Sequence, residues 1–512
     1  MVVAYALYAA GFVANTVYTV DGHLVFALFD DAMISLRYAH NLARGHGLLW
    51  NVGDAPVEGI SNPLWAAWMA ALHHLAPPHR VSLYVQLTGG VLVLVTMVLC
   101  RGLAVRVWSR PWAGVLAMVL VGTYLPLNTW VLQGMEVGVV AAATAAAAAL
   151  ALDVSERRRS ASSVIALLAL LPLVRLDAVV PGGVTLVWLA WVLRSWRPLV
   201  VGGAAIGAGL LVQTALRWGY YGELLPNTYH LKMTGAPVSM RLMRGAAVAG
   251  DFLFHPGGAV VVAGLSTALV RPAVPRRALL AAQVVAAFAY SIYVGGDAWD
   301  DQMGGANRFL CGALPLAFVL AAGPLSAAPG ALAARLRGGR VLGALVVVAA
   351  WVGMSAVDGE KSLRAWSLVG PPLHADARDR GRMVELGLHA AEITTPEATL
   401  AVVRAGVIPF FADRNAVDLL GKSDAVLARM DAVPDEHASG WRAFYPGHMK
   451  YDYAHSLSLA PDLVLQAWKE PQVFQAMLIE RGYRLVRYED LEAWALGDSE
   501  HVRWDRVTVV AP

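Results

Sequence analysis

The chain is a succession of apolar runs, each about as long as a bilayer is thick. A helix crossing the hydrocarbon core needs roughly 20 apolar residues, with about 17 as a floor. Runs that meet or approach this length lie near residues 3–20, 81–100, 112–128, 135–152, 161–175, 178–193, 198–216, 256–270, 278–294, 309–327 and 341–357, about eleven in all. The pair 161–175 and 178–193 is short and divided only by Arg175-Leu176-Asp177. Trp65–Leu75 is too short to cross and reads as an interfacial or re-entrant helix. Composition agrees: 57% of the residues are hydrophobic and 15% charged, against roughly 25% charged in soluble domains. A soluble cytosolic enzyme and a disordered chain are both excluded.

A net charge of +3 is too small for a nucleic-acid binder, so no nucleic-acid partner is expected. Cys100 and Cys311 both fall in apolar runs, which gives neither a disulfide framework nor metal-ligand spacing. No cofactor or metal site is expected. The first run lacks a small-residue cleavage site and precedes a charged loop, so it reads as a retained span.

The placement of arginine sets the orientation. Arg101/Arg106/Arg110, Arg157–Arg159, Arg194/Arg197, Arg271/Arg276/Arg277 and Arg335/Arg337/Arg340 occupy every second loop. Positive loops face the cytoplasm. The expectation is a multi-pass protein of the cytoplasmic membrane, with 21–80, 129–134, 175–177, 217–255, 295–308 and everything after about 358 outside. After 358 charges become frequent. Ala398-Thr-Leu-Ala-Val-Val-Arg404 and Asp462-Leu-Val-Leu465 read as short strands, and Asp376–Ala391 as an amphipathic helix. The predicted organisation is a membrane domain over 1–357 and an extracytoplasmic α/β domain over 358–512.

Polar residues near span ends collect on the external side. The first external loop carries Asp30, Asp31, Arg37, His40, His46, Glu58 and Asn62, and other external span ends supply Glu136, Arg175 with Asp177, Tyr220-Tyr221, Asn227, Lys232, Asp297 and Arg308. Ionisable groups near the membrane are costly and usually face a cavity. Each also has a plainer reading. One of Asp30 and Asp31 can cap the helix that begins at Ala32, leaving the other to face a cavity. Glu136 has no partner one helical turn away, which favours a functional or network role. Arg175 and Asp177 either pair with each other or contact a ligand. Asp300 and Asp301 read as solvated loop acids. No ligand spacing joins His40 and His46, so packing is preferred to metal binding.

The segment Asp30–Asn62, reading DDAMISLRYAHNLARGHGLLWN…VEGISN, resembles the opening external loop of polytopic GT-C glycosyltransferases. It is most similar to the terminal arabinofuranosyltransferases that build the arabinogalactan of mycobacterial-type cell walls. The likeness continues through QGMEVG (Gln133–Gly138), LVRLDAVVPGG (Leu173–Gly183), YYGELLPNT (Tyr220–Thr228), GGD (Gly295–Asp297), NRFLCGALPL (Asn307–Leu316), VDLLGKSD (Val417–Asp424) and PGHMKYDY (Pro446–Tyr453). The motifs cover nearly the whole chain in the same order.

The resemblance implies a GT-C-like polytopic α-helical membrane protein with a small C-terminal extracytoplasmic α/β domain. It also implies transfer of a sugar, arabinofuranose by analogy, from a polyprenyl-phosphate donor to a cell-envelope glycan acceptor outside the membrane. An aspartate of the first external loop is then the base, Asp30 first and Asp31 close behind. A donor phosphate calls for cations, for which Lys232, Arg308 and Arg175 stand first and Arg37 after them. Asn227, Glu58 and Asn62 are candidates to bind sugar hydroxyls. Glu136 and Asp177 could supply a second carboxylate, and Asp297 lies in the same external set. Tyr221, with Tyr220, reads equally as an interfacial aromatic and as a sugar platform. Asp418, Lys422, His448, Lys450 and Asp452 either face the same cavity or are solvated. The alternative is a lipid-linked sugar transporter or flippase, but its sites lie near mid-membrane between repeats, and no repeat is visible here.

Overall fold

The computed structural model describes residues 1–20, 22–270, 274–300, 306–333, 375–434, 438 and 440–511. The expected span 341–357, the cluster Arg335/Arg337/Arg340, Arg271 and Asp301 lie outside the described residues.

Helices dominate the first part of the chain. They are α1 (Val2–Ala14), α2 (Asp30–Ala43), α3 (Pro63–Leu72), α4 (Pro78–Trp108), α5 (Pro111–Gly122), α6 (Leu125–Leu132), α7 (Val137–Ser155) and α8 (Ala161–Val174). There follow α9 (Val179–Leu193), α10 (Arg197–Tyr221), α11 (Asn227–Met233), α12 (Val238–Phe254), α13 (Pro256–Leu269), α14 (Pro275–Val294), α15 (Arg308–Cys311) and α16 (Leu314–Ala333). Among the described residues α4, α7, α9 together with the turn before it (Leu176–Leu193), α10 and α14 are long and apolar enough to cross a membrane. The pairs α5–α6, bent by 56°, and α12–α13, bent by 90°, raise the number to seven if each is one broken span. This is a multi-pass membrane protein.

Several apolar runs are thus shorter or more broken than hydropathy suggested. The first run is helical only to Ala14, because residues 17–20 leave it to form β1 (Val17–Val20), paired antiparallel with β2 (His23–Phe26). Prolines explain both bends. Pro126 in the first turn of α6 and Pro256 at the start of α13 lack the N–H that would continue the preceding helix. α12 falls where hydropathy predicts loop, within 217–255. Its stripe of Arg241 and Arg244 is polar but buried: Arg241 donates to Tyr293 O at 2.9 Å and Arg244 to Asp297 O at 2.8 Å.

After residue 374 come α17 (Ala375–Glu392), β3 (Thr399–Val402), α18 (Val407–Ala412), β4 (Asn415–Asp418), α19 (Ala425–Arg429), α20 (Tyr453–Ser458), β5 (Leu463–Val464), α21 (Pro471–Glu480), β6 (Tyr483–Tyr488), β7 (Leu491–Leu496) and β8 (Thr508–Ala511). The expected helix and both expected strands are present. The sheet order is β4-β3-β5-β7-β6-β8, parallel across its first three strands and antiparallel across the rest. Ala401, Val417, Val464, Phe474, Leu478 and Tyr483 pack its core. Connecting β3 to β4 through α18 is the crossover that parallel pairing requires.

Packing divides the chain otherwise than hydropathy does. One compact unit holds Met1–Asn15, Gln86–Thr214 and Val238–His374; the other holds Thr16–Val85, Ala215–Pro237 and Ala375–Pro512. The second unit therefore gathers the loop between α1 and α4 with α2 and α3, the end of α10 with α11, and the α/β domain into one body.

Candidate active site

The sequence candidates fall into two groups, one in each unit. The second unit holds Asp30, Asp31, Arg37, Glu58, Asn62, Tyr221, Asn227 and Lys232, and the first holds Glu136, Arg175, Asp177, Asp297 and Arg308.

The second unit carries the denser chemistry. Its α2 begins at Asp30, after the fully buried run Ala27-Leu28-Phe29. Neither aspartate caps α2 as expected. Instead Asp30 Oδ1 accepts from Gly406 N (3.2 Å) and Val407 N (2.9 Å), so it caps α18. Asp30 is 4% exposed. The next residue points elsewhere: Asp31 Oδ1 lies 3.8 Å from Lys422 Nζ, and the Asp31 side chain keeps 14% of its surface.

Lys422 is placed by a built turn. Asp418, at the end of β4, accepts from Leu420 N (3.0 Å) and Ser423 N (2.7 Å). Asn227 closes the same turn from α11, donating to Gly421 O, Lys422 O and Asp424 O at 2.9–3.2 Å. Gly421 sits at φ +75°, which favours glycine. Arg404 follows β3 as Lys422 follows β4, and Gln466 Oε1 holds its backbone by accepting from Val403 N and Arg404 N. Two cations thus stand at the carboxyl ends of neighbouring parallel strands, where open α/β sheets place ligands. The sequence reading missed Arg404; its only signal was a cation ending a predicted strand. Lys232, on α11, packs along the 445–448 segment, since a Cβ at Gly447 would stand 3.1 Å from Lys232 Cε.

Burial raises the Asp30 and Asp418 carboxyls above the ordinary range, and Lys422 opposes the rise for both. His448 is pushed the other way by burial, down to about 3, and Lys422 adds to the effect. Its Nδ1 lies 3.0 Å from Pro446 O, so the neutral ring donates there. The folded value lies below the unfolded 6.5, so the folded state binds fewer protons and stability falls as pH drops from about 6.5 toward 3. At pH 5 the loss from this group is about 2 kcal/mol. His448→Gln should therefore flatten the fall in thermal midpoint between pH 7 and pH 5.

Other candidates turn out to be committed to structure. Arg37 donates to Trp50 O (2.7 Å), Pro409 O (2.5 Å), Arg414 O (2.6 Å) and Asn51 Oδ1 (3.1 Å), with its guanidinium 5.0 Å over the Trp50 ring. With its donors spent and 5% exposed, it clamps α18 to α2 and is not placed to hold a phosphate. Glu58 is ion-paired with buried Arg217. Asn62 accepts from Ser35 Oγ at 3.1 Å, and Tyr221 Oη donates to Leu48 O at 2.8 Å. Lys450 is 1% exposed and donates to His230 O, Ala428 O and Thr234 Oγ1. Asp452 caps α20.

In the first unit the charges pair off. Arg175 lies between Glu136 (2.6 Å) and Asp177 (2.7 Å), 5.0 Å over the Phe309 ring. Arg308 holds Asp297 through two contacts of 2.5 and 2.9 Å, and Asp300 pairs with Arg244 at 3.1 Å. The network reading of Glu136 is the one these contacts support. Among the described residues no three His, Cys, Asp or Glu side chains group as metal ligands.

Comparison with known proteins agrees with the fold. Residues 374–509 match a family described as a domain of unknown function (DUF8728). A terminal beta-(1->2)-arabinofuranosyltransferase of Mycobacterium tuberculosis (strain ATCC 25618 / H37Rv) is 27% identical over 212 residues, which are 39% of this chain and 34% of that protein. The chain thus matches about a third of that relative's length. Among solved structures, ArnT from Cupriavidus metallidurans bound to undecaprenyl phosphate aligns with a TM-score of 0.58 at 14% identity, over 98% of both chains. An oligosaccharyltransferase of Archaeoglobus fulgidus, in complex with zinc and sulfate, aligns with a TM-score of 0.51 at 13% identity, over 97% of this chain and 73% of that one. The chain has the GT-C membrane fold that these two share.

Proposed function

We propose that this GT-C chain is a membrane glycosyltransferase that takes a sugar from a polyprenyl-phosphate donor and passes it to a cell-envelope glycan on the extracytoplasmic face of the cytoplasmic membrane. The observation that carries the reading is Asp31 facing Lys422 at the carboxyl edge of the parallel strands. The activity of the mycobacterial relative and the lipid bound to ArnT support it, and the former makes arabinofuranose the sugar to test first.

A sugar hydroxyl is a poor nucleophile and needs a carboxylate to take its proton as the new bond forms. Asp31 is the better placed of the pair, because Asp30 Oδ1 is already shared by two backbone N–H groups. The acceptor oxygen attacks the anomeric carbon, and the bond from that carbon to the phosphate oxygen breaks. Polyprenyl phosphate leaves with the electron pair while the acceptor proton passes to Asp31. Lys422, Lys232 and Arg404 are the cations offered to the phosphate. Charge grows on the leaving oxygen, so they act on the transition state as well as on binding.

The test uses the full chain in nanodiscs with radiolabelled polyprenyl-phosphate sugars, arabinofuranosyl and mannosyl among them, and a cell-envelope glycan. The parent should transfer label to the glycan. Lys422→Met and Lys232→Met should each lower kcat/KM roughly ten- to a hundredfold, the worth of one charge-assisted hydrogen bond. In sealed proteoliposomes of the same protein, movement of the intact donor across the bilayer with no transfer from any donor would replace this reading with transport.

A further inference from the structure

A cleft of the second unit lies at the far end of α2 from Asp31. A cavity of about 660 Å³ opens between His40, Arg44, His73, His74, Asp413 and the Pro77-Pro78 turn. A neighbouring cavity of about 350 Å³ shares His40, Arg44 and Asp413 and adds Glu397 and His46. The three shared residues form the partition. Arg44 Nη1 holds Asp413 through contacts of 2.9 and 3.1 Å, and His40 Nε2 lies 3.2 Å from Arg44 Nη1 and 3.7 Å from Asp413 Oδ1. The rings of His40, His73 and Phe410 pack with centroids 5.1–6.3 Å apart beside them.

Two features argue for a ligand. Asp413 is held in the left-handed region, at φ +50°, where it ends α18. Aspartate tolerates that conformation at some cost, and such outliers gather at binding sites. The Arg44 and Asp413 side chains stay half exposed, at 48% and 57%, so both retain surface for a further partner.

The charges decide the ligand class. Arg414, on the second cavity, donates to the carbonyls of Ala412, Asp413, Ala391 and Thr394. Arg37 is likewise spent on the clamp. Arg44 is matched by Asp413, and burial keeps His73 neutral, with a pKa near 4. A phosphate here would meet the Asp413 and Glu397 carboxylates, and the exposed arginine that both cavities share, Arg44, is already neutralised by Asp413. A neutral molecule rich in hydroxyls suits alternating carboxylate, imidazole and guanidinium groups beside proline and phenylalanine faces.

We propose that this cleft binds the chain of a neutral oligosaccharide, the acceptor glycan, at a distance from the reacting sugar. The inference rests on the glycosyltransferase reading. His40 follows Asp31 by nine residues on α2, about 14 Å along the helix axis, so the cleft serves acceptor units beyond the terminal one. Binding energy gathered there can position the terminal hydroxyl at the reacting centre.

The experiment compares the full chain in nanodiscs with His74→Trp, which fills the cleft from an exposed rim position, and Asp413→Asn, which keeps the left-handed turn and removes the charge. An arabino-oligosaccharide is the acceptor and water the reference acceptor. Both variants should raise the acceptor KM about tenfold or more. The donor KM and the acceptor-independent hydrolysis of donor should stay within about twofold of the parent. Unchanged acceptor KM in His74→Trp, with parental transfer intact, overturns the proposal. If the parent neither transfers nor hydrolyses, the transferase reading fails instead. Direct binding of the oligosaccharide to parent and His74→Trp, measured by calorimetry, then decides the cleft alone: loss of binding in the variant supports it, and equal binding or none overturns it. Competition by inorganic phosphate for the oligosaccharide would also count against it.

Discussion

Replacing Asp31 with Asn lowers sugar transfer about 10²- to 10⁴-fold, the range expected when a positioned base is removed. The protein should stay folded, because the Asp31 side chain is partly exposed and Lys422, which it faces, has a second carboxylate beside it in Asp418. Asp30→Asn is the contrasting variant. An amide oxygen still accepts from Gly406 N and Val407 N, so the cap on α18 survives and activity stays well above that of Asp31→Asn. Asp30→Ala removes the cap and costs about 1 kcal/mol of stability. The measurement is kcat and thermal midpoint for all three. If Asp30→Asn falls as far as Asp31→Asn was expected to, while Asp31→Asn keeps its rate, the base is Asp30 and the cap is secondary.

What made the two aspartates ambiguous in the sequence was distance along the chain. Adjacent acids at a helix start could be told apart only by what each faces, and the group that engages Asp30 lies 376 and 377 positions away. Arg37 was misjudged for the same reason: two of its acceptors, Pro409 O and Arg414 O, are 372 and 377 positions further on. Nothing local distinguishes such a clamp from a phosphate ligand. Local patterns were readable because their cause is local. The alternation around Leu400 and Leu463 and the amphipathic stretch of α17 follow from periodicity alone. α12 escaped because its arginines find acceptors on and just after α14, which makes a polar helix stable where hydropathy sees only a loop. Arg404 and Arg217 are single cations without a motif, and their positions become meaningful only once the strands and helix ends are in place.

Arg217→Met should destabilise the protein by about 3–5 kcal/mol, the cost of leaving one member of a buried ion pair alone. The side chains of Arg217 and Glu58 keep 3% and 6% of their surface. Arg217 also donates to Leu224 O at 3.3 Å, and the Glu58 carbonyl accepts from Asn227 N at 3.2 Å. The pair therefore ties the loop before α3 to the end of α10 and the start of α11, the helix that carries Lys232. Burial already raises the Glu58 carboxyl, and Arg217 is what opposes the rise. Without Arg217 the folded-state value rises further above the unfolded one. The contribution of such a group is fully present below the unfolded value of about 4.3 and is lost as pH climbs through the folded value. The thermal midpoint of Arg217→Met should thus fall further below the parent at pH 8 than at pH 5. Glu58→Gln has no carboxyl to titrate while the parent keeps its raised one, so the deficit of that variant should narrow from pH 5 to pH 8. The double variant Glu58→Leu/Arg217→Met, which buries no charge, should recover most of the loss. A double variant no more stable than Arg217→Met would show that the pair acts through specific geometry at the α10–α11 junction and not through mutual neutralisation.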